Sequence, residues 1–273
     1  MTLYKYQIGI IGAGNMGEAL IRGLLRSKLV GTKNLIASGR RAKQCRKIHQ
    51  KYKIATTQDN VRLVKNSRTI LLAVKPQNID ALMPQIAPHL NKRHLVISIA
   101  AGIPVAKLKK GLKGFKAIVR VMPNLPSLIE CGIAGIYCTS VVSKSQKRFA
   151  HKIFEAVGKT VDIGREKWMD AVTGLSGTGP AYLFAMIEAL TRAGEKLGLP
   201  KKEVRILTLE TMLGAAQLAL KTKATAEELR KRVTSKKGTT WAAMKIFKKH
   251  RFWDLLMKAV AAAAKRSHEL RGK

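Results

Sequence analysis

The chain has 273 residues, 46% of them hydrophobic, and its 52 Lys and Arg against 16 Asp and Glu leave a net charge of +36. That length holds one large domain or two modest ones. No apolar run approaches about 18 residues, so no spanning helix and no membrane partner is expected. The basic residues recur at 40–53, 107–116, 144–152, 201–205, 230–237 and 245–251 instead of forming one tail. With no aromatic-rich RNA motif and no basic recognition helix, a nucleic-acid partner is not expected either.

The opening MTLYKYQIGI enters a strand at once and looks like neither a signal nor a transit peptide. The apolar run Gln7 to Ile11 leads into Gly12-Ala13-Gly14-Asn15-Met16-Gly17, followed by a helical pattern from Glu18 to Leu25. This is the Gly-x-Gly-x-x-Gly turn of a dinucleotide-binding βαβ unit. Gly12 allows the tight turn, Gly14 lets a pyrophosphate approach the backbone, and Gly17 lets helix and strand pack. The helix start, with Asn15 and Met16, turns free N–H groups toward the phosphates.

Residues 34–38 read as the second strand, ending at Ser38 and followed by Gly39-Arg40-Arg41. An acid at this strand end would hold a ribose 2′-OH. None occurs between Glu18 and Asp59. Ser38, Arg40 and Arg41 suit a 2′-phosphate by charge and fork geometry, so the expected cofactor is NADPH, with NADH the weaker alternative. Further strands are read at 69–74, 94–99, 116–121, 132–138 and 160–163, with helical patterns at 77–90 and 144–157 between them. Such apolar strands imply a parallel sheet covered on both faces. The predicted fold class is α/β, a doubly wound Rossmann-type sheet over residues 1–164. From 165 to 273 the strand signal vanishes, and helices are read at 178–198, 200–221, 226–233, 239–248 and 252–270. So much apolar helical surface suggests packing on a second copy, an all-helical dimerisation domain.

Ligands in such sheets bind beyond the carboxyl ends of strands. Ala73, Val74, Lys75 and Pro76 end one strand, Ala100 follows another and Asn124 a third, so they could line one crevice. For Lys75 a plain surface role stands equally open. In the helical half, the Gly- and Ser-rich run Asp170 to Tyr182 could bind an anion or let helices approach, with packing favoured. The turn Ser235-Lys236-Lys237-Gly238-Thr239-Thr240 could aim N–H groups and hydroxyls at a carboxylate, or simply cap a helix. The six histidines lack metal-ligand spacing and no Ser-His-Asp or Cys-His array occurs, so neither a metal nor hydrolase chemistry is expected. Cys131 and Cys138 could pair, but with Cys45 they read as three reduced thiols of a cytoplasmic protein.

Taken in order, these segments resemble the pyrroline-5-carboxylate reductases. The likeness rests on Gly12 to Gly17, Ala73 to Gln77, Arg120 to Asn124, and most specifically Asp170 to Tyr182. It continues through Glu188 to Leu190, Lys196 to Pro200, Thr211 to Ala216 and Thr239-Thr240. The resemblance implies NADPH-dependent reduction of Δ1-pyrroline-5-carboxylate to L-proline, the last step of proline biosynthesis. It implies a homodimer through the helical domains, often built into a decamer, with the substrate between one subunit's cofactor domain and its partner's helices. By the same likeness, Ser235, Gly238, Thr239 and Thr240 bind the substrate carboxylate, and Thr240 hydrogen-bonds the ring nitrogen as the catalytic residue.

One departure stands out. The family turn reads Ser-Pro-Gly-Gly-Thr-Thr, whereas lysines fill positions 236 and 237 here. If that first glycine needs positive φ, Lys237 is strained. The lysines motivate one alternative, a related reductase of another cyclic imino acid, and the strongly positive surface motivates a second, a weakly catalytic homologue associated with nucleic acid.

Overall fold

The computed structural model describes residues 4–270. The first half alternates strand and helix: β1 (Tyr6–Ile11), α1 (Asn15–Arg26), β2 (Leu35–Ser38), α2 (Ala42–Tyr52), β3 (Ala55–Thr57), α3 (Asn60–Asn66), β4 (Ser67–Leu72), α4 (Ile79–Ile86), β5 (Leu95–Ser98), α5 (Val105–Gly111) and β6 (Ile118–Met122). Then come β7 (Gly132–Cys138), α6 (Lys144–Glu155), β8 (Gly158–Asp162) and α7 (Met169–Val172). The eight strands form one sheet in the order β3-β2-β1-β4-β5-β6-β7-β8. The chain winds outward from β1 in one direction, then restarts beside it at β4. Apolar side chains cover both faces, one cluster around Ile8, Leu20, Ile97 and Phe154 and the other around Ile11, Ile70, Ile86 and Leu108.

The doubly wound sheet is as expected, but it is not wholly parallel. β7 runs antiparallel to β6, with Arg120 opposite Tyr137. Residues 123–131 carry only a short 3-10 turn at Leu125–Ile129, too few for a parallel crossover, which takes about a dozen. The helix expected over 77–90 is shorter and broken. Pro76 starts a 3-10 turn, Pro84 lies inside α4, and a second 3-10 turn covers Ala87–His89. The short elements β3, α3 and α5 carry too little periodicity to announce themselves in the sequence.

Arg120, in the middle of β6, is buried and ionised. Its Nη1 donates to Glu166 Oε1 at 3.1 Å, and its Nη2 lies 3.8 Å from Asp170 Oδ1. Asp170 also accepts from Ser267 Oγ (2.9 Å), and its Oδ2 lies 3.4 Å from His268 Nδ1. Glu166 Oε1 further accepts the Val105 N–H at 2.7 Å. This polar cluster joins the sheet to the end of the last helix, near Ser267 and His268. A buried guanidinium needs such partners to offset its desolvation.

The remaining helices are α8 (Gly179–Lys196), α9 (Lys201–Lys221), α10 (Ala226–Arg232), α11 (Thr239–Lys249) and α12 (Phe252–Glu269). By contacts the chain forms two compact units. One runs to Thr178 and takes in the chain from Ala262; the other is Gly179–Ala261. Within the second unit, α8 and α9 form a hairpin. It turns at Gly198 (φ 89°), and Leu199 N–H donates to Gly194 O at 3.2 Å. Phe247 stacks on Phe252 at 4.6 Å, and Arg230 stands 5.5 Å over Trp253, which ties α10, α11 and α12 together. Of α8 to α11, only Pro180, Val204 and Thr208 are buried. Leu183, Phe184, Leu190, Ile206, Leu207 and Leu213 are each about half exposed. Apolar surface on that scale marks an interface.

Two stability outcomes follow from these contacts. Arg120→Met should destabilise by about 3 kcal/mol, because it takes the buried cation away from Asp170 and Glu166; urea unfolding at fixed protein concentration measures it, and amide exchange should quicken at the end of α12. Lys237 has φ 62°, so Lys237→Gly should stabilise by about 1 kcal/mol, read as a rise in Tm.

Candidate functional site

The topology fixes where a ligand can enter. β1 and β4 lie side by side, yet the chain leaves them toward opposite faces and edges, and a crevice opens beyond their carboxyl ends. There the backbones nearly touch: Ala73 N–H donates to Ile11 O at 2.8 Å. A Cβ on Gly12 would sit 2.5 Å from Ala73 O, and its φ is +108°, so glycine is required twice over. A Cβ on Gly17 would run into Gly12 O, whereas at Gly14 nothing lies within 4 Å. Gly17 thus serves packing and Gly14 keeps the turn open. Gly14 is the N-cap of α1 and no side chain caps it, so the first N–H groups of that helix face outward unpaired.

Around this turn lies a cleft of about 620 Å³. Of the residues singled out in the sequence, it is lined by Gly12, Gly14, Asn15, Ser38, Arg40, Arg41, Ala73, Val74 and Lys75. Met16 and Gly17 stand behind it in α1, and Pro76 opens the 3-10 turn after Lys75. Ala100 and Asn124 are not brought into the lining. Ala100 is buried in the core below β5, and Asn124 Oδ1 accepts the Ile133 N–H at 2.9 Å, pinning the turn into β7. The cleft also recruits Gln44, Gln58 and Asn60, for which no motif exists. Gln44 donates to Ala13 O at 2.7 Å, Gln58 to Arg40 O at 2.8 Å, and Ser38 Oγ to Asn60 Oδ1 at 2.7 Å. These bonds fix the loop that carries the two arginines.

The electrostatics are one-sided. Arg40, Arg41 and Lys75 line the cleft and no acid does. Glu18, the one acid of α1, is held below the usual carboxylate range by the hydrogen bond from Lys51 (2.8 Å), against the opposing effect of burial. An open glycine cradle, a helix start and two forked cations fit a phosphate-rich dinucleotide with an extra phosphate on its ribose.

The second candidate site lies within the helical unit. Gly238 caps α11 with extended backbone and no capping side chain. The first helical bond runs from Ala242 N–H to Gly238 O (3.1 Å). The N–H groups of Thr239, Thr240 and Trp241 therefore have no partner inside the helix. Gly238 N–H donates to Ser235 O at 3.1 Å, and a Cβ at Gly238 would strike Ser235 Oγ. Ser235, Gly238, Thr239 and Thr240 are thus gathered at one helix start, with Lys236 and Lys237 exposed beside it.

Comparison with known proteins agrees with both halves. The family profile "Pyrroline-5-carboxylate reductase dimerisation" matches residues 166–270, and "NADP oxidoreductase coenzyme F420-dependent" matches 7–102. A pyrroline-5-carboxylate reductase of Pseudomonas aeruginosa is 43% identical, over 97% of this chain and 96% of its own. The structure of a pyrroline-5-carboxylate reductase from Coxiella burnetii superposes with a TM-score of 0.91 at 36% identity, covering 97% of this chain and 98% of that one. A Plasmodium falciparum pyrroline carboxylate reductase with NADP bound gives 0.88 at 30% identity, covering 98% and 99%. At this identity and coverage, and with the glycine turn and the helical half both in place, the chain belongs to the pyrroline-5-carboxylate reductase family.

Proposed function

We propose that this chain reduces Δ1-pyrroline-5-carboxylate to L-proline with NADPH. The observation that carries the reading is the acid-free cleft at the β1/β4 divergence, with Arg40 and Arg41 on its wall. NADPH, when bound, supplies the hydride that the electrophilic imine carbon accepts. The protein's own part is placement and charge. Gly12, Gly14, Asn15 and Met16 hold the pyrophosphate at the start of α1, and Gly17 lets that helix pack close enough to present it. Ser38, Arg40 and Arg41 hold the 2′-phosphate. Ala73, Val74, Lys75, Pro76, Ala100 and Asn124 complete the cofactor-binding set of this reading, the last two from outside the cleft lining.

At the start of α11, the N–H groups and the hydroxyls of Ser235, Thr239 and Thr240 hold the substrate carboxylate, and Gly238 leaves the room for it. Thr240 hydrogen-bonds the ring nitrogen, which takes up a proton from water, so that hydride on carbon and proton on nitrogen balance the reduction. No covalent nucleophile is needed, and much of the rate can come from holding the two carbons in near contact. Residues 165–273 serve as the dimerisation and substrate domain, and two copies cover the apolar helices; further assembly to a decamer would show in light scattering as ten times the 30.0 kDa chain mass. A cytoplasmic location fits three cysteines that are all free thiols.

NADPH oxidation with pyrroline-5-carboxylate, followed spectrophotometrically beside NADH, tests the activity. Absence of turnover with either cofactor would reject it. Arg40→Gln with Arg41→Gln should raise the KM for NADPH by about 10- to 100-fold and leave NADH nearly unchanged. Thr240→Val should lower kcat about tenfold or more through one lost hydrogen bond, while NADPH binding by fluorescence stays as it was. Faster turnover of six-membered imino acids than of pyrroline-5-carboxylate would instead favour the alternative substrate suggested by Lys236 and Lys237.

A further inference from the structure

Two cavities of nearly equal size lie at opposite edges of the sheet. One is the cleft of about 620 Å³ beyond the carboxyl ends of the strands. The other, about 610 Å³, lies at their amino ends. Its walls come from the entries to four neighbouring strands and from α6: Lys5 leads into β1, Asn34 into β2, Lys92 and Arg93 into β5, Arg68 sits near the start of β4, and Gln146 is on the helix. A strand of six residues such as β4 separates the two edges, roughly 20 Å at about 3.3 Å per residue.

This second groove has its own chemistry. Four cations, Lys5, Arg68, Lys92 and Arg93, share its lining with no carboxylate. Among the described residues, none of the four forms an ion pair. Elsewhere the scarce acids of the chain do find bases, as in Lys107–Asp80 at 3.0 Å and Lys147–Asp162 at 2.7 Å. Like charges gathered in a concave site repel one another until an anion enters. Guanidinium forks suit phosphate oxygens in particular. The aromatic faces of the groove are already engaged. Tyr4 leans on His94 at 5.1 Å and donates its hydroxyl to Asn91 Oδ1 at 3.0 Å, and Lys5 Nζ stands 5.5 Å over the Tyr6 ring.

We propose that this amino-edge groove is a binding site for a compact anion carrying two or more phosphate groups, held by Lys5, Arg68, Lys92 and Arg93. It is separate from the cofactor cleft and does not depend on what that cleft binds. Calorimetric titration with inorganic tripolyphosphate tests it on three proteins: the unaltered chain, an Arg68→Gln/Lys92→Gln/Arg93→Gln variant, and an Arg40→Gln/Arg41→Gln variant. The expected result is a binding event that survives in the Arg40/Arg41 variant and weakens by about tenfold or more in the triple variant, and that weakens as salt rises. Single Arg68→Gln and Arg93→Gln variants, each expected to lose part of the affinity, serve if the triple variant fails to fold by circular dichroism. No binding to the unaltered chain overturns the proposal. So does binding that the Arg40/Arg41 variant alone abolishes, which would put the anion in the cofactor cleft. Single-stranded DNA bound through these residues, with tripolyphosphate ignored, would make the groove a nucleic-acid surface and overturn it too.

Discussion

The backbone contact between Gly12 and Ala73 is the constraint on which the nucleotide-binding half depends. With the α-carbon of Gly12 against the Ala73 carbonyl, β1 and β4 can stay hydrogen-bonded up to their last residues. The chain can then turn into α1 at once. Any side chain at this point would push the strands apart or lift the helix off the sheet. Once the contact is made, the rest of the cleft follows from topology: the strand order reverses here, and every loop leaving a carboxyl end on this side faces the same space.

Charge is organised around scarcity of acid. Of the 16 acids in the chain, some pair within a single helix, as Glu188 does with Arg192, and others sit where elements meet. Glu18 joins α1 to α2 through Lys51, and Glu130 accepts from Arg26 at 2.8 Å. Exposed pairs of this kind contribute at most about 1 kcal/mol each. The Arg120 cluster differs because it is buried: there a missing partner matters more than the pair itself contributes. The cofactor cleft gains from the same scarcity, since no carboxylate competes with a phosphate for Arg40 and Arg41.

Much of this could be read from the residues. The glycine turn, the two arginines after β2 and the helical second half all have local signatures, and the structure has the same elements at nearly the same positions. What stayed hidden depends on distance in space. Gln44, Gln58 and Asn60 belong to no motif and reach the cleft only because α2 and β3 fold back against β1 and β2. The direction of β7 is invisible in its apolar run, although the short stretch before it was a clue. Arg120 heads one of the motif segments, yet nothing local says that it is buried in an ionic cluster, because its acids lie far along the sequence. Lys237 is the reverse case: a departure from a family turn raised the question of a positive φ at this position, and the backbone has one.

The last helix has a consequence for how the protein is made. Ser267, which donates to Asp170, lies 97 residues after it. At translation speeds of about 5–20 residues per second, that leaves a wait of roughly 5–20 s between the two. Through that interval a nascent sheet carries an ionic centre that still lacks its hydroxyl donor. The nucleotide-binding half is thus not finished in the order it is synthesised, and its closure is deferred until the helical half has emerged.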